Sequence, residues 1–129
     1  VTDNGEILLV KQFRYPFHKT TLEIPAGKLE KHEDHAECGR RELLEETGYI
    51  CEQYDYLGEF LPTPAYSTEI IHIYLAQKLK FEKQNLDKDE FLDVEKLSLS
   101  DAVKYVMEGS ITDGKTQIAI LKTAKILGI

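Results

Sequence analysis

The sequence predicts an α/β domain in which helices cover a mixed β-sheet. Three observations support this prediction. Runs of apolar, β-branched and aromatic residues alternate irregularly with segments of helical spacing. The helical segments open on residue types that cap helices. The 129 residues are enough for one domain with a substantial core, and we expect a single domain over residues 1–129.

The strand predictions rest on residue type and on turn signals. Residues 6–13 are largely apolar and follow the turn signal Asp3-Asn4-Gly5, and residues 20–25 form a shorter extended segment. Further strands are expected over residues 54–60, 69–77 and 91–97, of which the second is rich in isoleucine and tyrosine.

The helix predictions rest on caps. Residues 34–47 are expected to form a helix with Asp34 as N-cap, Glu37 as its capping-box partner and Gly48 as its end. A second helix opens at Ser98 and ends near residue 109. A third runs from about residue 115 to residue 127, and its spacing predicts an inward face of Ile118, Leu121 and either Ala124 or Lys125.

Composition limits the partners. The net charge of −7 argues against a general nucleic-acid binder, and no apolar run approaches the length of a membrane span. The first residues show no signal-peptide pattern. The two cysteines, Cys38 and Cys51, cannot support a disulfide framework, so a reducing, cytoplasmic setting is expected.

Three glutamates of the first predicted helix suggest a metal site. Glu42, Glu45 and Glu46 are spaced three and four apart, so they fall on neighbouring parts of one helix face. Taken alone, such a group is usually a solvated acidic surface. Like charges at this spacing destabilise a helix, however, and divalent cations with oxygen ligands neutralise them well.

The surroundings of these glutamates favour the metal site. Gly27 and Gly48 bracket the helix, and Glu33 lies just before it, where a loop can fold it back towards the same face. Arg41 can orient two carboxylates through its planar guanidinium. We therefore expect Glu33 and Arg41 to belong to the same site as the three glutamates.

Residues 27–49 resemble the Nudix box, whose form is G-x5-E-x7-R-E-U-x-E-E-x-G-U with U a bulky aliphatic residue. All seven fixed letters match, and Leu43 matches the first U. Tyr49 stands at the second U, and its hydroxyl needs a partner or water where it is buried.

The resemblance implies a Nudix fold, in which a mixed β-sheet is sandwiched between helices and a loop-helix-loop motif holds metal against a diphosphate. Glu42 and Glu46 would be the main metal ligands, with Glu45 as a further ligand or water holder and the backbone carbonyl of Ala26 as an additional ligand. The expected metal is Mg²⁺, with Mn²⁺ as a possible substitute. The resemblance also implies that Glu33, Arg41 and Glu45 take part in catalysis.

Residues outside the box resemble the ADP-ribose pyrophosphatase branch of this family. Arg14 and Glu23 lie in the matching segments 12–15 and 22–30. Arg14 is either an exposed strand end or a phosphate or ribose contact. Glu23 either contacts the substrate or pairs with Lys11 or Lys28 across the sheet.

Two further segments carry the same resemblance. Glu69 follows Thr63-Pro64-Ala65, which is similar to the S-P-G…E segment of the branch, and we count Glu69 among the substrate-binding residues. Residues 87–90 resemble a mobile acidic loop that supplies a catalytic glutamate. Glu90 is then either that proton acceptor or a solvated loop residue.

The resemblance implies Mg²⁺-dependent hydrolysis of ADP-ribose to AMP and ribose 5-phosphate. The alternative substrates are another nucleoside diphosphosugar, such as a GDP-hexose, or a dinucleotide. A Nudix domain that only senses a ligand would have lost box glutamates, and none is lost.

Relatives in this branch carry an additional N-terminal β segment that exchanges between subunits, and nothing in this sequence matches it. We expect the sequence to be part of a longer protein that forms a two-fold homodimer. Without that segment, aromatic surface near residues 6–15 is expected to be exposed.

Overall fold

Two sheets and three helices make up residues 1–82 and 93–129, the part of the chain that the computed structural model describes. In chain order the elements are β1 (Glu6–Arg14), a 3-10 turn (Tyr15–Phe17), β2 (Lys19–Glu23), α1 (His35–Thr47), β3 (Tyr49–Phe60), β4 (Ile71–Phe81), β5 (Val94–Ser98), α2 (Leu99–Met107) and α3 (Gly114–Leu127).

The strands are divided between the two sheets. One sheet has the order β2-β1-β5, with β1 antiparallel to both neighbours, and the other is an antiparallel pair of β3 and β4. Helix α1 packs against β3, β4 and β1, α2 packs against β5 and β1, and α3 packs against α2 and β4. The predicted α/β class, with helices against β structure, is confirmed.

The predicted caps of α1 are confirmed. The Asp34 side chain accepts from the Glu37 backbone N–H at 2.9 Å. At the other end, Gly48 is left-handed with φ 80° and its N–H donates to the Leu44 carbonyl. Ser98 caps α2 in the same way, accepting from Asp101 N–H. The N-caps fix the residues at which α1 and α2 begin, and so determine which side chains lie on each face of these helices.

The second sheet extends further than the sequence predicts. Strand β3 begins at Tyr49, directly after the helix end, because Tyr49 pairs at once with Phe81. Strand β4 correspondingly begins at Ile71 and continues to Phe81. The predicted strand at 91–97 starts outside the described residues, and β5 covers Val94–Ser98.

The main core lies between β1, α2 and α3. Leu9, Leu99, Ile111 and Ile120 are almost completely buried there. Such burial stabilises the domain by about 2 kcal/mol for each large side chain. The core therefore fixes α3 against the sheet that carries β1 and β2.

Helix α3 confirms the predicted inward face only in part: Ala124 is buried and Ile118 is partly buried. Its buried residues are Thr116, Ala119, Ile120, Thr123 and Ala124, whereas Leu121 and Lys125 are exposed. Small side chains on the buried face allow close approach to the core, and the cap at Asp113 fixes the rotation of the helix.

The expected aromatic surface near β1 is confirmed, since Phe13, Tyr15 and Phe17 are all exposed. Within the described ranges, no helix is both long and apolar enough to cross a membrane.

Candidate active site

Arg41 is the centre of a charged network on α1. Its Nε and Nη2 donate to the two carboxylate oxygens of Glu33 at 2.8 and 3.0 Å. Its Nη1 donates to Glu42 at 2.7 Å and to Glu45 at 3.0 Å. The bonds from Arg41 lower the pKa of Glu33 to about 2. Arg41 thus brings Glu33, from the loop before the helix, onto the glutamate face, as the sequence predicts.

Glu46 is the glutamate of this face that has no ion pair among the described residues. Its carboxylate accepts a hydrogen bond from the Ala26 backbone N–H at 3.1 Å. Burial raises the pKa of Glu46 to about 7; the bond from Ala26 opposes this rise, and the negative charge of Glu42 adds to it. A cation beside Glu42 and Glu46 would remove both unfavourable effects.

Gly27 allows the loop to approach Glu42 closely. A Cβ at this position would lie 2.1 Å from Glu42 Cδ and Oε1, which no side chain could occupy without displacing the carboxylate. The glycine of the box is therefore required by space rather than by backbone dihedral angles, because its φ is not left-handed.

The chemistry of these residues fits a divalent cation. Within residues 1–82 and 93–129, no three acidic, histidine or cysteine side chains are grouped closely enough to hold a metal as they lie. The reason is that Glu42 and Glu45 face Arg41, and Glu46 faces Ala26. Carboxylate oxygens are nevertheless the donors that Mg²⁺ prefers, and partly buried Glu46 has no cationic partner in the described part of the chain. The metal roles of Glu42, Glu45, Glu46 and the Ala26 carbonyl stay predictions.

A second charged cluster surrounds Glu23. Arg14 donates to both oxygens of Glu23, at 2.8 Å from Nε and 2.5 Å from Nη2. Lys115, at the start of α3, donates to Glu23 at 2.6 Å and to Asp113 at 3.0 Å. Burial alone would raise the pKa of Glu23, but hydrogen bonds from Arg14, Lys115 and Thr21 outweigh it and lower that pKa to about 2.

The sequence gives no role to Lys115. It lies 92 residues from Glu23, and only the packing of α3 against the first sheet brings them together. The capping signature Asp113-Gly114-Lys115-Thr116 is the one signal that locates it. Asp113 caps α3 by accepting from Thr116 N–H, and the Thr116 hydroxyl accepts from Ile24 N–H at 3.0 Å.

A cavity of about 570 Å³ joins the box to this second cluster. Its wall includes Ala26, Gly27, Glu42, Glu69 and Lys115. Arg14 is connected to the cavity through Glu23 and Lys115. Of the predicted site residues, Glu90 lies outside the described residues, and its role is untested.

Comparison with known proteins shows the family to which the chain belongs. The family model described as the NUDIX domain matches residues 1–116. Three relatives match most of the chain: a methanol dehydrogenase activator of Bacillus methanolicus, 47% identical over 123 residues; an ADP-ribose pyrophosphatase of Bacillus subtilis (strain 168), 46% identical over 122 residues; and a GDP-mannose pyrophosphatase of Yersinia enterocolitica, 37% identical over 135 residues. The chain belongs to the Nudix family.

These matches cover 93% of this chain for the two Bacillus proteins and 98% for the Yersinia protein. The chain spans 66% of the length of each Bacillus relative and 70% of the Yersinia relative. A solved structure described as an ADP compounds hydrolase superposes with a TM-score of 0.85, at 20% identity, over 99% of this chain and 70% of that one. The Nudix fold and the resemblance to an ADP-ribose pyrophosphatase are thereby confirmed.

Proposed function

We propose that this protein hydrolyses the diphosphate linkage of ADP-ribose to AMP and ribose 5-phosphate and requires Mg²⁺. The observation that supports this most directly is Glu46, a partly buried carboxylate that has no ion pair among the described residues and lies near Glu42, which lines the cavity. The Bacillus subtilis relative named ADP-ribose pyrophosphatase supports the choice of substrate.

In the proposed reaction, a water oxygen bonds to one phosphorus and the bond from that phosphorus to the bridging oxygen breaks. One proton of the water passes to a general base and the other to solvent or to the phosphate groups, so two phosphate monoesters result. Glu42, Glu45, Glu46 and the Ala26 carbonyl would hold the metal. When bound, Mg²⁺ neutralises phosphoryl charge and makes an attacking water more acidic.

The chain's own residues position these groups. Arg41 holds Glu33, Glu42 and Glu45 in a fixed relation, which limits the motion of the carboxylates. Arg14 and Lys115 supply positive charge near the cavity, whose wall also carries the carboxylates of Glu42 and Glu69. Glu69 on the cavity wall contacts the nucleotide or sugar in this proposal.

Further parts of the proposal follow from the family resemblance. Glu90 accepts the proton of the attacking water, and Mn²⁺ substitutes for Mg²⁺. The protein acts in the cytoplasm, as one Nudix domain over residues 1–129 within a homodimer. Its partner is a small nucleoside diphosphosugar rather than nucleic acid or membrane.

A second candidate is hydrolysis of a GDP-hexose. The relative named GDP-mannose pyrophosphatase, at 37% identity, is the observation that favours it. The two candidates share the metal site and the diphosphate, and differ only in base and sugar.

Steady-state hydrolysis of a panel of nucleotide sugars, with and without Mg²⁺, tests the proposal. We expect ADP-ribose to give the highest kcat/KM, and AMP and ribose 5-phosphate as products in a ratio of about one to one. Faster turnover of GDP-mannose would favour the second candidate. Equal rates with Mg²⁺ and with EDTA would contradict both.

A further inference from the structure

Glu23 differs from the carboxylates of α1 because its acceptor positions are filled. Its side chain is 2% exposed. One oxygen accepts from Arg14 Nη2 and Lys115 Nζ, and the other accepts from Arg14 Nε and the Thr21 hydroxyl at 2.5 Å. An ionised carboxylate offers about four acceptor positions. Glu23 therefore has no position left for a hydroxyl or amine of a substrate.

The two cations that Glu23 binds still have donors available. Arg14 is half exposed, and its Nη1 makes no hydrogen bond within the described residues. Lys115 makes two bonds to carboxylates, to Glu23 and to Asp113, out of the roughly three that an ammonium can donate. Arg14 Nη2 and Lys115 Nζ bond to the same oxygen, so the two cationic groups meet at one point.

Only a negative charge between them keeps two such cations together. Without Glu23, the guanidinium and the ammonium would repel each other; Lys115 would keep its bond to Asp113, but Arg14 would lose its bonds to Glu23 and would move away into solvent. Arg14 comes from the end of β1 and Lys115 from the start of α3, so no shared backbone holds them in register.

We propose that Glu23 is a positioning residue: it aligns Arg14 and Lys115 so that their free donors meet one anionic group of the substrate, and it does not touch the substrate itself. The inference rests on the proposed function, since that group is a phosphoryl group of a nucleoside diphosphosugar. Glu42, on the same cavity wall as Lys115, would repel this group unless cations were held in place.

The first test is Glu23→Gln, which keeps the shape of the side chain but removes its charge and turns a donor towards the cations. We expect KM for ADP-ribose to rise about 10- to 100-fold, the factor for one lost hydrogen bond to a charged group, with kcat changed only a few-fold. Glu95→Gln is the matched control. Glu95 pairs with Lys11 on the same sheet but does not line the cavity, so KM should stay at the wild-type value.

A double-mutant cycle separates positioning from direct contact. If Glu23 acts through its cations, Glu23→Gln should raise KM by a smaller factor in an Arg14→Ala background than in the wild type. The same factor in both backgrounds would mean that Glu23 contacts the substrate directly, and would overturn the inference.

Arg14→Lys gives an answer even where Glu23→Gln fails to fold, because Arg14 is exposed and the charge is kept. Lysine cannot bond both oxygens of Glu23 at once, so KM should rise about tenfold or more. An unchanged KM would overturn the inference.

Calorimetric titration of ADP-ribose in EDTA distinguishes this inference from the proposed function. Wild-type hydrolysis with an unaltered KM in the Glu23 and Arg14 variants would refute only the positioning role. Failure of the wild type to hydrolyse any nucleotide sugar would refute the proposed function; weaker binding by Glu23→Gln would then still support the positioning role. Equal binding of ADP-ribose by the wild type and Glu23→Gln, or no binding by the wild type, would refute the positioning role.

Discussion

At the scale of single residues, the glutamate face of α1 has two kinds of carboxylate. Glu42 and Glu45 accept hydrogen bonds from Arg41, whereas partly buried Glu46 accepts from the Ala26 N–H and has no ion pair among the described residues. One guanidinium cannot balance all of these carboxylates, so the box keeps an excess of negative charge. A site that binds a cation has use for such a charge, because the free energy that it costs without metal is recovered on binding.

Glu46→Gln tests the role of this charge. The amide keeps the shape and an acceptor oxygen for Ala26 N–H, but it is a poor metal ligand. We expect activity to fall at least about 100-fold, since even the loss of a partner behind a metal ligand costs about 10- to 100-fold. Turnover at saturating Mg²⁺ and thermal unfolding are the measurements. Glu37→Gln, in the exposed first turn of the same helix, is the control. Near wild-type turnover of Glu46→Gln would contradict the metal role.

Gly27→Ala tests the close approach of the loop to Glu42. The added methyl group would lie 2.1 Å from the Glu42 carboxylate carbon and must displace it. We expect kcat/KM to fall about 10- to 100-fold, because a displacement of about 1 Å at a reacting centre has that effect. Gly114→Ala adds the same methyl group where nothing lies within 4 Å, and should leave kcat/KM unchanged. Equal activity of the two variants would refute the steric argument.

At the scale of elements, local signals were predictable and packing was not. The helix caps Asp34, Gly48 and Ser98 were predictable because capping depends on residues that are only a few positions apart along the chain. The start of β3 was not predictable, because β3 begins at Tyr49 through its pairing with Phe81, and the residues near Tyr49 do not indicate that partner. The buried face of α3 was predictable only at Ala124, because small and polar residues form most of it.

Thr116→Val tests how α3 is attached to the catalytic loop. The Thr116 hydroxyl donates to Asp113 at 2.6 Å and accepts from Ile24 N–H, and the side chain is fully buried. Valine has the same shape but leaves the Ile24 donor without a partner. We expect the free energy of unfolding to fall by about 1–3 kcal/mol in urea titrations. Thr116→Ser keeps the hydroxyl and should retain that bond. A loss as large in Thr116→Ser as in Thr116→Val would assign the effect to packing instead.

At the scale of the whole molecule, half of the site lies in one segment and half is assembled by the fold. The box spans residues 27–49, so its spacing alone showed that Arg41 and the glutamates share a helix face. The cluster of Arg14, Glu23 and Lys115 combines β1, β2 and α3. The sequence indicated Arg14 and Glu23 only through family resemblance. It could not show that two cations occupy the acceptor positions of Glu23, because Lys115 lies 92 residues away along the chain.

This long-range cluster should make the stability of the whole domain sensitive to acid. The pKa of Glu23 is about 2 in the folded protein, against an ordinary value of 4.5. The unfolded chain therefore binds more protons between these values, and the stabilisation, complete above pH 4.5, is lost as pH falls towards 2. The shift corresponds to about 3 kcal/mol at most, and solvent around half-exposed Arg14 reduces it.

Urea titrations from pH 6 down to about pH 2 measure this loss, which linkage predicts as a slope of unfolding free energy against pH. In Glu23→Gln the slope should be shallower, since the amide does not titrate in this range, although the variant is less stable at every pH above it. Glu95→Gln removes an exposed pair with Lys11 on the same sheet and should keep nearly the wild-type slope, because exposed ion pairs contribute little. If Glu23→Gln instead kept the full slope, the acid sensitivity would have to come from other carboxylates, of which Glu33 is the first to examine because Arg41 lowers its pKa to about 2 as well.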